Sequence, residues 1–166
     1  MIALHYPRIR RAALFLSNGN VWDADDLAQE TLLQAARGWS RFSGSDRVGS
    51  WLYTILLNQH RRRLRSAARL WRRCLGWLAK NPETSVTETP DEPVLSEEWR
   101  STLWSAVAEL PDPQRQTLVL RFAEDLTYEQ IAEVLGCPIG TVKSRLHHGL
   151  AALQKNLANE DVKNAR

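Results

Sequence analysis

The chain has 166 residues, a hydrophobic fraction of 43% and a net charge of +3, enough apolar content to exclude wholesale disorder and length for one ordinary domain or two small ones. Its two cysteines, Cys74 and Cys137, stand far apart, which excludes a disulfide framework and a zinc site and makes a reducing cytoplasm the expected setting. No apolar run approaches the roughly 18 residues of a membrane span, and Arg8, Arg10 and Arg11 break up the apolar N-terminus, so a soluble protein without signal peptide or membrane insertion is expected.

In chain order, Leu4 to Leu16 carries Ile9, Ala12, Ala13 and Leu16 at helical spacing, ended by the turn cluster Ser17-Asn18-Gly19-Asn20. A second helix follows, with Asp23, Asp25 and Asp26 placed where negative charge favours a helix N-terminus. At 100° per residue Ala28, Leu32, Ala35 and Trp39 fall on one side, the expected buried face. Asp26, Gln29, Glu30, Leu33 and Arg37 fall on the other. A polar face with a leucine at its centre suits contact with a protein partner better than with water. The acids lack the spacing of metal ligands, and capping explains them, so neither a metal nor a cofactor is expected.

Phe42 to Ser50 reads as a glycine- and serine-bearing loop, and a helix follows from Trp51. Leu52, Ile55, Leu56 and Gln59 group on one side of it. Trp51, Thr54, Asn58, Arg61, Arg62 and Arg65 group on the other. An aromatic, amide and guanidinium stripe beside a loop is what separated DNA strands require, because bases stack on rings and arginines hold phosphates. The alternative for Trp51 is burial in the core beside a solvated basic face.

No acid occurs between Asp46 and Glu83, while seven arginines from Arg61 to Arg73 crowd together; Glu83 to Glu98 is acidic. Such segregation points to a polyanion partner on one side of the molecule. Helical character is expected to continue through Ala67 to Leu78, a basic, tryptophan-bearing segment that could extend the basic face, pack on a partner or lie on a membrane surface. Lys80 to Pro93, with three prolines and no apolar period, reads as a linker. The expected division is a helical lobe over 1–79, a linker over 80–94 and a second helical lobe over 95–160.

In the second lobe Leu95, Trp99, Leu103, Val107 and Leu110 keep a helical period, Pro111-Asp112-Pro113 breaks it, and Pro113 can open the next helix. Thr127 and Gln130 then form a capping box, and Tyr128, Ile131, Ala132 and Leu135 make the expected buried face of a short helix. Gly136 supplies a left-handed stop and Pro138 prevents continuation. Val142, Leu146, Leu150, Leu153 and Leu157 form the stripe of a last helix, whose other faces carry Thr141, Lys143, Ser144, Arg145, His147 and His148. This is a helix-turn-helix with small polar and basic residues at the start of its second helix, able to enter a major groove. The fold class is all-α, two small helical domains joined by a flexible linker.

The ordered motifs resemble those of bacterial group 4, or extracytoplasmic function, sigma factors, the promoter-specificity subunits of RNA polymerase. The matching pieces are Asp23 to Thr31, Trp51-Leu52-Tyr53 with Asn58 and the arginines, Leu110-Pro111, Leu126 to Ala132, and Gly140 to Arg145. The resemblance implies a non-catalytic initiation subunit in which Asp26, Gln29, Glu30 and Leu33 contact core RNA polymerase. It implies that the Phe42 loop with Trp51 and Asn58 opens and reads the −10 element of promoter DNA, and that Lys143, Ser144, Arg145, His147 and His148 read the −35 element. It also implies an anti-sigma factor that occludes both lobes. The family usually carries a further helix ahead of Ile2, so the chain is expected to be either short or truncated at its start. A duplex-binding helix-turn-helix regulator is the alternative, but it would need neither the Leu33 face nor the Trp51 stripe.

Overall fold

Local signals set several helix ends in the computed structural model, which describes residues 2–43, 47–78 and 97–164. A 3-10 turn, Ile2–His5, leads into α1, Tyr6–Leu16, whose proline lies in the first turn, where a missing N–H costs nothing. It buries Ile9, Ala12, Ala13 and Leu16. In the turn that follows, Asn18 and Gly19 take left-handed backbone, with φ of 53° and 83°. At Gly19 a Cβ would also come within 2.8 Å of the Trp104 ring, so this glycine serves a tertiary contact as well as the turn.

Helix α2, Val21–Gly38, is capped by Asn20, whose side chain accepts from the Asp23 N–H. Its buried stripe is Ala24, Leu27, Ala28, Thr31 and Ala35. The expected face was centred one step away. Leu32 is only half-buried, and Trp39 leaves the helix for a 3-10 turn, Trp39–Arg41, where it is 38% exposed. Thr31 fits the apolar stripe because its hydroxyl donates to the Leu27 carbonyl at 2.7 Å. Helix α3, Val48–Leu78, begins before Trp51 and runs unbroken for 31 residues, through the basic segment expected to continue it. It buries Leu52, Tyr53, Leu56 and Leu57, each apolar side chain of that size contributing about 1.5–3 kcal/mol when fully buried. Helix α1 packs on α2, and α2 on α3.

The C-terminal helices are α4, Glu97–Ala108; α5, Asp112–Leu118; α6, Tyr128–Leu135; and α7, Ile139–Asn164. Pro113 stands in the first turn of α5, which runs into a π-helical turn, Val119–Ala123. Both halves of the Thr127/Gln130 capping box form, and Gly136 ends α6 at φ 63°. Helix α7 packs on α4, α5 and α6. Two expected core residues lie at the surface instead. Tyr128 is 37% exposed and Leu150 45%. Helix α6 has only eight residues and buries Ile131, Val134 and Leu135, leaving its first residue beyond the edge of the packed face. The expected linker, 80–94, lies outside the described residues, as do Gly44, Ser45 and Asp46 of the loop. Among the described residues the two lobes touch, α1 against the π-helical turn and α3 against α6, and their buried apolar residues form one connected cluster.

Candidate nucleic-acid and partner interfaces

The start of α7 follows directly from the tight turn. Its first amide bonds are closed by Pro138, whose carbonyl accepts from the N–H groups of Thr141 and Val142 at 2.9 and 3.2 Å. Val142 and Leu146 point inward and are buried. Lys143, Ser144, His147 and His148 are exposed, and the two imidazoles meet edge to face at 5.4 Å. Thr141 and Arg145 are half-buried. The Arg145 guanidinium turns toward the turn itself, with Nη1 3.8 Å from Cys137 Sγ. The ring of Tyr128 collects two cations, Arg121 Cζ at 5.5 Å and Lys143 Nζ at 6.0 Å from its centroid. Glu129 is held below the usual carboxylate range by the backbone N–H, by the Thr127 hydroxyl and by the nearby Lys143.

The stripe on α3 is brought together with the loop before it. Phe42 stacks on Trp51 with centroids 4.5 Å apart and planes 21° apart, and Trp39 lies 5.8 and 6.1 Å from the two rings. Beside them opens a cavity of about 560 Å³ lined by Arg41, Phe42, Arg47, Trp51, Thr54 and Glu133 among others. Trp51 and Thr54 are half-buried, and the Thr54 hydroxyl donates to the Ser50 carbonyl at 3.0 Å. Trp51 therefore neither fills the core nor stands free; it forms one wall of the cavity. Farther along α3, Asn58, Arg62 and Arg65 are exposed, and Arg65 Nε donates to the Arg61 carbonyl at 3.3 Å. Arg61 is half-buried because its Nη2 reaches Gln116 Oε1 at 2.9 Å. Flat rings next to guanidinium groups can hold an unpaired base by stacking and its phosphate by charge.

On α2, Asp26 and Gln29 are exposed and Leu33 is 58% exposed. Glu30 lies at the edge of this face, paired with Arg63 of α3 at 3.2 Å. Trp22, 81% exposed, was not singled out from the sequence. Its spacing from Asp26, Gln29 and Leu33 is i, i+4, i+7, i+11, which puts all four on one stripe. Arg41 was likewise missed at the cavity, and Glu133 could not have been found there, since it arrives from α6. Among the described residues no helix is long and apolar enough to cross a membrane.

Comparison with known proteins places two family models on the chain, Sigma-70 region 2 over residues 1–70 and Sigma-70, region 4 over residues 100–153. Among curated proteins, the ECF RNA polymerase sigma factor EcfG of Rhodopseudomonas palustris is 36% identical over 147 residues, covering 89% of this chain and 77% of that one. The RNA polymerase sigma-H factor of Pseudomonas aeruginosa is 31% identical over 151 residues, covering 81% and 73%. Among solved structures, the sigma factor RpoE of Bartonella quintana, in complex with the anti-sigma factor NepR, matches with a TM-score of 0.75 at 27% identity, covering 95% and 94%. CnrH in complex with the cytosolic domain of CnrY matches with a TM-score of 0.64 at 26% identity, covering 95% and 85%.

Proposed function

The chain belongs to the sigma-70 family of RNA polymerase sigma factors, in its extracytoplasmic function branch, and from that premise we propose how its surfaces divide the work of initiation. It is a promoter-specificity subunit without an enzymatic reaction of its own, binding core RNA polymerase and promoter DNA. The stripe Trp22, Asp26, Gln29 and Leu33, with Glu30 at its edge, docks on core polymerase. Two exposed apolar side chains among acids on one helix face support this, since such a patch gains by being covered.

Phe42, Trp51 and Thr54 receive an unpaired base of the −10 element, and Asn58, Arg61, Arg62 and Arg65 carry the strand along α3. The stacked Phe42–Trp51 pair beside the cavity supports that assignment. Thr141, Lys143, Ser144, Arg145, His147 and His148 meet the −35 element in the major groove. Lys143 and the two histidines are presented to it directly, and Arg145 reaches a base by leaving Cys137. The lobes so used are 1–79 and 95–160, joined by 80–94, a division supported by the two family matches. The setting is the cytoplasm, where the polymerase and the promoters are.

We also propose an anti-sigma factor as partner, as for RpoE with NepR. Its seat is the apolar groove of about 480 Å³ between α1 and the C-terminal helices, where Phe122 is 60% and Leu150 45% exposed. A free-standing helix-turn-helix regulator is not favoured, because it has no use for a region 2 lobe. The observation that carries the reading is one chain presenting an acidic–apolar helix face, an aromatic–arginine stripe and a helix-turn-helix in the family's order. Co-elution of the chain with core polymerase, followed by footprinting on a promoter, tests it. Protection of both elements is expected; a chain that never co-elutes with core refutes it.

A further inference from the structure

Helix α2 ends at Gly38, and the chain tightens into the 3-10 turn Trp39–Arg41, closed by the Phe42 N–H donating to the Trp39 carbonyl at 3.1 Å. A 3-10 helix completes a turn in three residues, so Trp39 and Phe42 stand one above the other on the same side. Gly38 lets the third ring approach, because a Cβ there would come within 3.3 Å of the Trp51 side chain. The end of α2 and the start of α3 thus gather three aromatic rings.

The three rings differ in what they leave open. Phe42 and Trp51 lie nearly parallel, with 21° between their planes at 4.5 Å, so each covers one face of the other. Both are half-buried, pack against the core and line the cavity of about 560 Å³. Trp39 meets both, at 5.8 and 6.1 Å between centroids, yet does not line the cavity. It is also the most exposed of the three, at 38%. A large flat ring held out of the core beside a base-receiving cavity offers a stacking surface of its own. Arg41, exposed and in the same 3-10 turn, does line the cavity. A cation therefore stands where a strand would pass from inside the cavity to outside it.

We propose that Trp39 is a second base-stacking residue of the −10-reading face. One unpaired base enters the cavity beside Phe42 and Trp51; its neighbour along the strand stays outside and lies on Trp39, with Arg41 at the phosphate between them. This rests on the promoter-reading assignment above. Stacking is tolerant of sequence because every base has a π-face, so Trp39 adds grip on the opened strand rather than preference for one base.

The test uses the chain assembled with core polymerase. The DNA probe is a fluorescent fork from a promoter mapped by run-off transcription, duplex through the −35 element and single-stranded at the −10 element. An abasic site replaces each single-stranded base in turn. With the wild type, loss of affinity of about tenfold is expected at each of two successive positions. Trp39→Leu keeps an apolar side chain against Phe42 and Trp51 and removes the flat face. It should bind the intact fork about tenfold more weakly; the abasic site at the outer position should then cost nothing further, while the inner one keeps its full cost. Trp39→Phe, which restores a ring, should keep both costs. A wild-type scan with a cost at a single position overturns the proposal without any variant. So does a helical Trp39→Leu chain that binds the intact fork as wild type does or keeps both costs. Costs that shrink together at both positions overturn it too, since Trp39 would then only support Trp51. Promoter-specific run-off by the wild type alongside any of these results shows that the role of Trp39 alone has failed. A flat scan with no promoter-specific transcript refutes the promoter-reading assignment, and the role of Trp39 with it.

Discussion

Replacing Leu33 separates the polymerase contact from the fold, because this side chain does little for the latter. Full burial of a leucine is worth about 1.5–3 kcal/mol. With 58% of Leu33 exposed, roughly 1–2 kcal/mol remains to be gained when a partner covers it. Leu33→Ala should therefore weaken binding to core polymerase about tenfold. Leu33→Asp loses the same term and forces an unpaired carboxylate into the contact, at a further cost of about 3 kcal/mol or more. The expected loss is on the order of a thousandfold. Stability should move by no more than about 0.5 kcal/mol in either variant, since the position is on the surface. Titration of fluorescent chain with core polymerase measures the affinity, and thermal unfolding by circular dichroism the stability. A helical, monomeric Leu33→Asp chain that binds core as tightly as wild type refutes the α2 face as the docking surface.

Asn58→Ala should slow promoter opening while closed binding persists, because Asn58 would act on separated strands; permanganate reactivity at the wild-type rate would contradict this. Lys143→Ala should weaken every −35 variant alike and lower the salt slope by about one ion. Arg145→Ala should relax preference at a single −35 position, worth about 1–3 kcal/mol of discrimination, and equal weakening of all variants would assign this arginine to its contact with Cys137 instead. Thr127→Ala removes the hydroxyl that caps α6 and should cost about 1 kcal/mol of stability, read as a lower unfolding temperature.

What could be read from the chain was what depends on near neighbours. The capping box at Thr127, the left-handed Gly136, the proline in the first turn of α5 and the Val142–Leu146 stripe are short-range devices, and each appears where its residues stand. The polar faces of α2 and α3 followed from periodicity for the same reason. Trp39 was misplaced because periodicity assumes the helix continues, and the chain turns into a 3-10 segment there. Tyr128 was misplaced because an apolar ring at helical spacing says nothing about where the partner helix ends. Glu124 was illegible in a stronger sense. An acid in Glu124-Asp125-Leu126 reads as part of a solvated connection, and its burial is created by Arg8, Arg11 and Tyr53, at least 71 residues away in the chain. Glu133 at the cavity of Phe42 and Trp51 has the same origin.

The account stands on the chain being the subunit that tells core polymerase where to start. Run-off transcription on promoter-bearing genomic fragments, with core polymerase alone and with core plus the purified chain, measures that directly. Discrete transcripts with a shared −35 and −10 spacing, present only when the chain is added and lost with Leu33→Asp, are predicted. Identical transcripts with and without the chain, from a chain that binds core, would contradict it.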